Sequence, residues 1–283
     1  MKPLRIMSFN IHNSGSADEF TGRRNSIASL IRNESPDLIG MQELLDDMIP
    51  GLDFMTESYG FTGKARGSKR ANERCCVVYR KDRFRLLRSK TLWLSDSPEI
   101  PGTKFYLSMF PRIVTIAVLE DMENNMVFTF ANTHLDHVLP PARKKQIDVM
   151  KELLEEYREG EFLILTGDFN CTSDDSSVHS LLGDRELDLR NPAVSTPKDL
   201  MRDFMHMASS RYRPIDMILV SSALRVDSYA SLHGLYEGKY PTDHTPILIT
   251  AVPEREEIEP KPEELAEVSE IPLEQPASQP KTQ

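Results

Sequence analysis

Short apolar runs ending in a chemically active side chain recur six times along this sequence, and they predict a protein built largely of strands. The clearest is Leu163-Ile164-Leu165-Thr166-Gly167-Asp168-Phe169-Asn170, where an uncharged run breaks abruptly into Gly-Asp-Phe-Asn. It reads as a buried strand that delivers a carboxylate and a carboxamide at its end, with Gly167 permitting a tight turn. One such tetrapeptide is equally well an ordinary Asp/Asn turn. Its recurrence is what argues for a site.

In chain order, Leu4, Ile6, Phe9 and Ile11 mark a first strand that carries Asn10 near its end. Ile27, Leu30 and Ile31 at helical spacing predict a helix over residues 21–33, stopped by Ser35-Pro36. Residues 37–43 form a second strand ending in Glu43, followed by a helical or irregular segment to about Tyr59. The runs 76–79 and 84–87 read as a hairpin around Arg80-Lys81-Asp82-Arg83. Trp93, a core or wall residue on this reading, precedes a turn at residues 98–102.

Residues 113–119 and 126–131 look like an antiparallel pair, the second leading into Asn132-Thr133-His134-Leu135-Asp136-His137. Pro140-Pro141 opens a helix with the stripe Ile147, Met150, Leu154 and Tyr157, and Gly160 suits its C′ position. Asp174-Asp175-Ser176 caps a short helix over 178–182, and residues 187–213, poor in periodicity, read as a long loop. Asp216 interrupts the apolar strand 215–220, where a core-facing carboxylate is costly unless paired. The last strand, 247–252, follows the turn Tyr240-Pro241-Thr242-Asp243-His244-Thr245-Pro246. Several hairpins and few crossover helices imply an α/β fold of mixed sheets covered by helices.

Composition narrows the picture. The 283 residues suffice for one sizeable core. No apolar run has the length of a membrane span and Met1-Lys2-Pro3 leads straight into a strand, so the expected location is the cytoplasm. Cys75, Cys76 and Cys171 lack disulfide or zinc spacing and read as small core residues. Of the net charge of -10, the Glu- and Pro-rich segment 253–283 carries -6, and residues 1–252 carry -4. The former is expected to be a disordered solubilising tail, with docking as the alternative. The latter lacks the basic excess that non-specific binding of duplex nucleic acid requires.

The polar residues at the strand ends are Asn10, Glu43, His134, Asp168, Asn170, Asp216, Asp243 and His244. Carboxylates and amides without thiols suit a hard divalent cation, Mg2+ or else Mn2+, rather than zinc. A cation at Glu43, with Asn10 and Asp243 nearby, could polarise a phosphoryl oxygen. Asp168 would then be free to deprotonate a water, Asn170 and His134 to donate to phosphoryl oxygens, and Asp216 to fix the His244 tautomer. Arg112 could reach a phosphate, a surface salt bridge being the alternative. The basic loop 64–74 reads as a solvated surface before a phosphate-attracting rim, and Glu73 as an outlying candidate. His12, His137, His179, His206 and His233 read as structural or solvated.

The segments SFNIH, MQE, NTHLDH, GDFN, ID and PTDHTP, in this order, resemble the endonuclease/exonuclease/phosphatase superfamily with the DNase I-like fold, over residues 4–252. VVYRKDRFRLL, LWLSDSPEIPG and PRIVT resemble its bacterial and archaeal hydrolase branch. The resemblance implies a four-layered α/β sandwich, two mixed β-sheets packed face to face with helices outside, spanning residues 1–252. It also implies a Mg2+-dependent phosphoester hydrolase. Carried over, Asn10, Glu43 and Asp243 look like the metal cluster, Asp168 like the base, Asn170 and His134 like phosphate ligands, and His244 with Asp216 like the His/Asp pair, the role of His244 remaining open.

Arg211-Tyr212-Arg213-Pro214 departs from the Asn-x-Gly-Trp-Arg lead-in of abasic-site endonucleases similar to exonuclease III, so their aromatic wall is missing. The leading expectation is therefore hydrolysis of a small phosphodiester or phosphomonoester. The alternatives are a DNA or RNA nuclease, with nucleotide or nucleic acid as partner, and an inactive binding module. Oligomeric state is not legible.

Overall fold

The computed structural model describes residues 1–13, 17–67, 72–202 and 214–254. In chain order the elements are β1 (Leu4–Asn10), α1 (Ala17–Glu34), β2 (Leu38–Leu44), a 3-10 turn (Ile49–Leu52), α2 (Asp53–Thr56), β3 (Tyr59–Thr62), β4 (Arg74–Arg80), β5 (Phe84–Trp93), β6 (Ile113–Asp121) and β7 (Met126–His134). There follow α3 (Pro140–Tyr157), β8 (Phe162–Asp168), α4 (Ser176–Leu182), β9 (Leu189–Arg190), α5 (Pro192–Ser195), β10 (Met201–Arg202), β11 (Asp216–Ser221), β12 (Leu224–Ser231) and β13 (Ile247–Pro253).

The strands form two mixed sheets, in the orders β10-β12-β13-β1-β2-β4-β3 and β5-β6-β7-β8-β11-β9. Period-two alternation along each strand builds three apolar layers. Ile6 of β1, Phe130 of β7 and Ile164 of β8 meet between the sheets. Met7 and Phe9 face outward to Phe20, Ile27 and Leu30 of α1. Leu163 and Leu165 face the other way, to Ile147, Met150 and Leu154 of α3 and to Val178 and Leu181 of α4. The expected four-layered sandwich is the observed one. No helix among the described residues is long and apolar enough to cross a membrane.

Four readings need correction. The expected hairpin 76–87 does not form, because β4 and β5 lie in different sheets. The buried Arg83 between them donates to Asp37 on one side and Asp121 on the other, so the charged turn joins the layers. β3 and β12 were not anticipated. In the long loop 187–213, β9, α5, a 3-10 turn (Lys198–Leu200) and β10 occupy part of the span. Helix α3 closes at a C-cap of Arg158, with the left-handed backbone of Gly160 (φ +75) one residue past C′. Lys69, Arg70, the lead-in 211–213, His206 and the tail from residue 255 lie outside the described residues.

Candidate functional site

The register of the strands brings the polar ends to one edge of the sandwich. In one sheet Asp168 lies opposite both His134 and Asp216. In the other, Asn10 lies level with Gln42. A bulge in β2 against β4 displaces the following residue, Glu43, from the ladder. Glu43 (φ +63), Asn170 (φ +52) and His12 (φ +60) all hold left-handed backbone, which non-glycine residues adopt at a cost of roughly 1–3 kcal/mol each. That three such residues crowd one edge marks it as a place where conformation serves something other than stability.

Asn10 is the hub. Its Nδ2 donates to Glu43 Oε1 and to Asp168 Oδ2, both at 3.0 Å, and lies 3.3 Å from His244 Nε2. Its Oδ1 accepts from the His12 backbone at 3.0 Å. Asp168 also accepts from the Asn170 backbone at 2.9 Å. The expected His/carboxylate pair is formed, with His244 Nδ1 2.8 Å from Asp216 Oδ2. His134 Nε2 stands 3.6 Å from Asp168 Oδ2, while its Nδ1 faces Glu43 and Glu73 at 4.0 and 3.9 Å without a hydrogen-bond partner among the described residues.

Electrostatics set the protonation of this cluster. Burial and the neighbouring Asp216 charge push the Asp168 carboxyl up, against the charge of His244. Asp216 is likewise raised by burial, although its His244 partner opposes the shift. Burial alone would lower His244, but the hydrogen bond to Asp216 and the surrounding carboxylates raise it, so its ring holds the proton of the pair. Burial and the positive charges of Arg112 and Arg66 hold His134 well below the ordinary histidine range, so it is neutral near pH ~7.

The remaining expected residues lie at the margins. Asp243 is largely exposed, 3.2 Å from His12 Nδ1, and outside the close cluster. Asn170 turns its Nδ2 to the Leu135 carbonyl at 3.0 Å. Arg112 is buried and makes no salt bridge among the described residues; its NH2 lies 2.9 Å from His137 Nδ1. The solvated reading of the basic loop does not hold for Arg66, which is buried and donates to Glu73 Oε1 at 2.7 Å. Glu73 also accepts from Asn13 at 2.7 Å. Trp93 is a core residue, buried with Cys75 and Ile113 and donating to the Arg66 carbonyl at 2.7 Å.

Sequence reasoning passed over the polar layer under the site. Gln42 Nε2 donates to Asn132 Oδ1 at 2.6 Å, and Asn132 Nδ2 donates to the carbonyls of Met41 and Cys76 at 3.0 and 2.8 Å. Thr166 Oγ1 completes the layer at 3.1 Å from Asn132 Oδ1. It fits only because Gly40 is bare, since a Cβ there would lie 1.8 Å from Thr166 Oγ1. The signal available was Asn132, a polar residue at the end of an apolar run. His12 and His137 offered only isolated histidines.

A divalent cation fits the donor set. Glu43, Asp168 and His244 each offer a ligand atom within 4.8 Å of the others. Burial first, and neighbouring carboxylates after it, raise Asp168 and Asp216, so a cation placed among them would favour their charged forms. Cys75 and Cys76 are buried and their thiols are pushed up by burial, so the donors are oxygen and nitrogen.

A structure from Bacteroides vulgatus, of an endonuclease/exonuclease/phosphatase, superposes with a TM-score of 0.80 at 26% identity, covering 90% of this chain and 100% of that one. The mannosyl-6-phosphatase Bt3783 of Bacteroides thetaiotaomicron gives 0.75 at 24% identity, over 88% and 99%. Protein angel of Drosophila melanogaster is 24% identical over 168 residues, which are 57% of this chain and 46% of that protein. The chain thus spans under half the length of that curated relative. The family model described as Endonuclease/Exonuclease/phosphatase matches residues 7–244. With the two mixed sheets and the edge where their polar ends meet, this match establishes that the chain belongs to the endonuclease/exonuclease/phosphatase family of phosphoester hydrolases.

Proposed function

We propose that this protein is a divalent-cation-dependent hydrolase of a small phosphodiester or phosphomonoester, with Mg2+ as the working ion and Mn2+ as a substitute. The observation that carries the reading is the convergence of Asn10, Glu43, Asp168 and His244 on one point. Glu43 would hold the ion, which would supply positive charge to a phosphoryl oxygen and to the leaving oxygen. Asn10, expected in the metal set, faces Glu43 with its Nδ2 rather than its oxygen and so would steady that carboxylate instead of ligating the ion. Asp243, turned toward His12, is the least supported member of the metal set.

On this reading Asp168 takes a proton from the attacking water, a role that its raised proton affinity suits. The water oxygen bonds to phosphorus as the ester P–O bond breaks on the opposite side. The Asn10 amide fixes the rotamer of Asp168 through its hydrogen bond. On the same reading neutral His134, and the Asn170 amide through the hydrogen it does not give to the Leu135 carbonyl, would donate to non-bridging oxygens, and His244, kept charged by Asp216, would stabilise the charge that builds there. Residues 1–252 are read as the catalytic domain and residues 253–283 as the acidic sequence that follows it, although Pro253 still belongs to β13.

The test is hydrolysis of bis-p-nitrophenyl phosphate and p-nitrophenyl phosphate with Mg2+, Mn2+ or EDTA, for the parent and Asp168→Ala. Turnover that needs the cation and vanishes in the variant is the expected result, and the better ester identifies diester or monoester preference. Silence on both esters, with salt-sensitive cleavage of oligonucleotides, would replace this reading with a nuclease.

A further inference from the structure

At the far end of the same edge lie two buried arginines with one ion pair between them, Arg66 on Glu73; Glu73 and Asp136 are the carboxylates near Arg112, which forms a salt bridge with neither among the described residues. Arg112 is 3% exposed, and its Nε and NH1 have no hydrogen-bond partner among the described residues. Its remaining nitrogen, NH2, meets only a histidine, His137 Nδ1. Arg66 is 5% exposed, uses NH2 on Glu73, and leaves Nε unpartnered among the described residues. The Phe110 ring carries the Arg66 guanidinium at 5.2 Å on one side and stacks on His137 at 6.4 Å. Exposed His137 and half-buried Phe110 flank the two guanidiniums, so these charges lie just beneath the surface.

Burial lowers the Arg112 pKa and the charge of Arg66 lowers it further. Two buried guanidiniums side by side, of which only Arg66 has a paired carboxylate, leave Arg66 Nε and Arg112 Nε and NH1 as donors that an incoming anion would satisfy. Their forked donors match the oxygens of a phosphate better than those of a single hydroxyl or amide.

The place of this arginine pair relative to the cleavage centre follows from the sheet. Arg112 precedes β6, and β6, β7 and β8 are neighbours, so His134 stands between it and Asp168. Building on the hydrolase reading, we infer that Arg112, Arg66 and His137 bind a second phosphate of the substrate, two strand spacings or about 10 Å from the one that is cleaved. The substrate class is then a small organic bisphosphate. A nucleic-acid strand would call for a track of surface cations instead, and these cations are buried.

Two measurements on the full chain test this. In EDTA, the parent should bind inorganic phosphate by isothermal titration, and Arg112→Gln and Arg66→Gln should each weaken it at least about tenfold. With Mg2+, phosphate release from fructose 1,6-bisphosphate should exceed that from fructose 6-phosphate by about tenfold in kcat/KM, through KM, and Arg112→Gln should erase the preference. Phosphate binding that needs Mg2+, or that survives Arg112→Gln, overturns the inference. So does an equal loss on p-nitrophenyl phosphate and on the bisphosphate, which would make Arg112 a ligand of the cleaved group. An Arg112-dependent preference for oligonucleotides over the bisphosphate overturns the substrate class. If Arg112→Gln does not fold, His137→Ala at the exposed flank must weaken phosphate binding by at least about threefold, and unaltered binding there sinks the idea. Failure of every ester, with Arg112-dependent phosphate binding intact, would remove the hydrolase reading and leave the anion site.

Discussion

At one end of the sandwich Arg83 lies between Asp37, which precedes β2, and Asp121, which ends β6, and every polar atom of the three finds a partner. Arg83 donates to Asp37 Oδ2 at 3.1 Å, to Asp121 at 3.2 and 2.9 Å, and to the Pro3 carbonyl at 2.7 Å. Arg80 and the Arg5 backbone complete Asp37 at 2.9 and 2.8 Å. At the other end of the same strands, His134 Nδ1, Glu73 Oε2, Asp216 Oδ1 and three guanidinium nitrogens of Arg66 and Arg112 are buried without hydrogen-bond partners among the described residues. Both ends bury charge between two sheets. One is saturated and fastens the layers together; the other gathers several unpaired charged groups in one place, a costly arrangement that a bound ligand would relieve.

The sharpest way to break this contrast is to neutralise Asp168. Asp168→Asn should cut turnover of a p-nitrophenyl ester by about 10²–10⁴-fold, the usual contribution of a general base. Its urea midpoint should stay level or rise, because a buried carboxylate beside Asp216 is removed. A large fall in stability would mean that the unsaturated end is structural after all.

The saturated end should answer in the opposite sense. Arg83→Ala strands two buried carboxylates and should lower unfolding free energy by about 3–5 kcal/mol in a urea titration. Turnover per folded molecule should hardly move. Between the two lies the polar layer: Asn132→Ala leaves Gln42 Nε2, Thr166 Oγ1 and two backbone carbonyls with fewer partners. A loss of about 1–3 kcal/mol is expected there, together with a lower kcat, since the layer seats both β2 and β7. Loss of stability with unaltered kcat would detach the layer from the site above it.

What was legible in the chain follows the same division. Asn10, Glu43, His134, Asp168 and Asp216 could be picked out because a short apolar run fixes where a strand lies, and a polar residue at its end or interrupting it then stands out. β12 was not legible because a bulge between Val226 and Ser228 shifts the phase of its alternation, so Leu224 and Tyr229 do not fall on one period. The false hairpin at 76–87 had correct strands and a wrong pairing. Its charged turn reads the same whether the two strands pair or part, and Arg83 is drawn to Asp121 by a contact far away in sequence. The arginine pair was only half legible: Arg112 was picked out as able to reach a phosphate, but Arg66 lay in a loop read first as solvated, and only the fold shows that Arg66 is buried on Glu73 and Arg112 beside His137.

The smallest expected effect serves as a control on a carboxylate that is satisfied and lies outside the close cluster. Asp175 caps α4, accepting from the Ser177 backbone at 2.9 Å and from the Ser177 hydroxyl. The Ser177 hydroxyl bond holds its carboxyl below the ordinary value of 3.8, against the opposing effect of burial. Its charged form therefore contributes stability that is present above pH ~4 and is lost as pH falls through the lower folded-state value. Asp175→Ala should cost about 1 kcal/mol at pH ~7 and less at pH ~3, read as the gap between parent and variant urea midpoints. The gap should narrow on acidification with no change in ester turnover at pH ~7. A gap that widens in acid would reverse the sign of the cap's electrostatics, and a lost turnover would show that α4 does more than cover the outer face of the sheet.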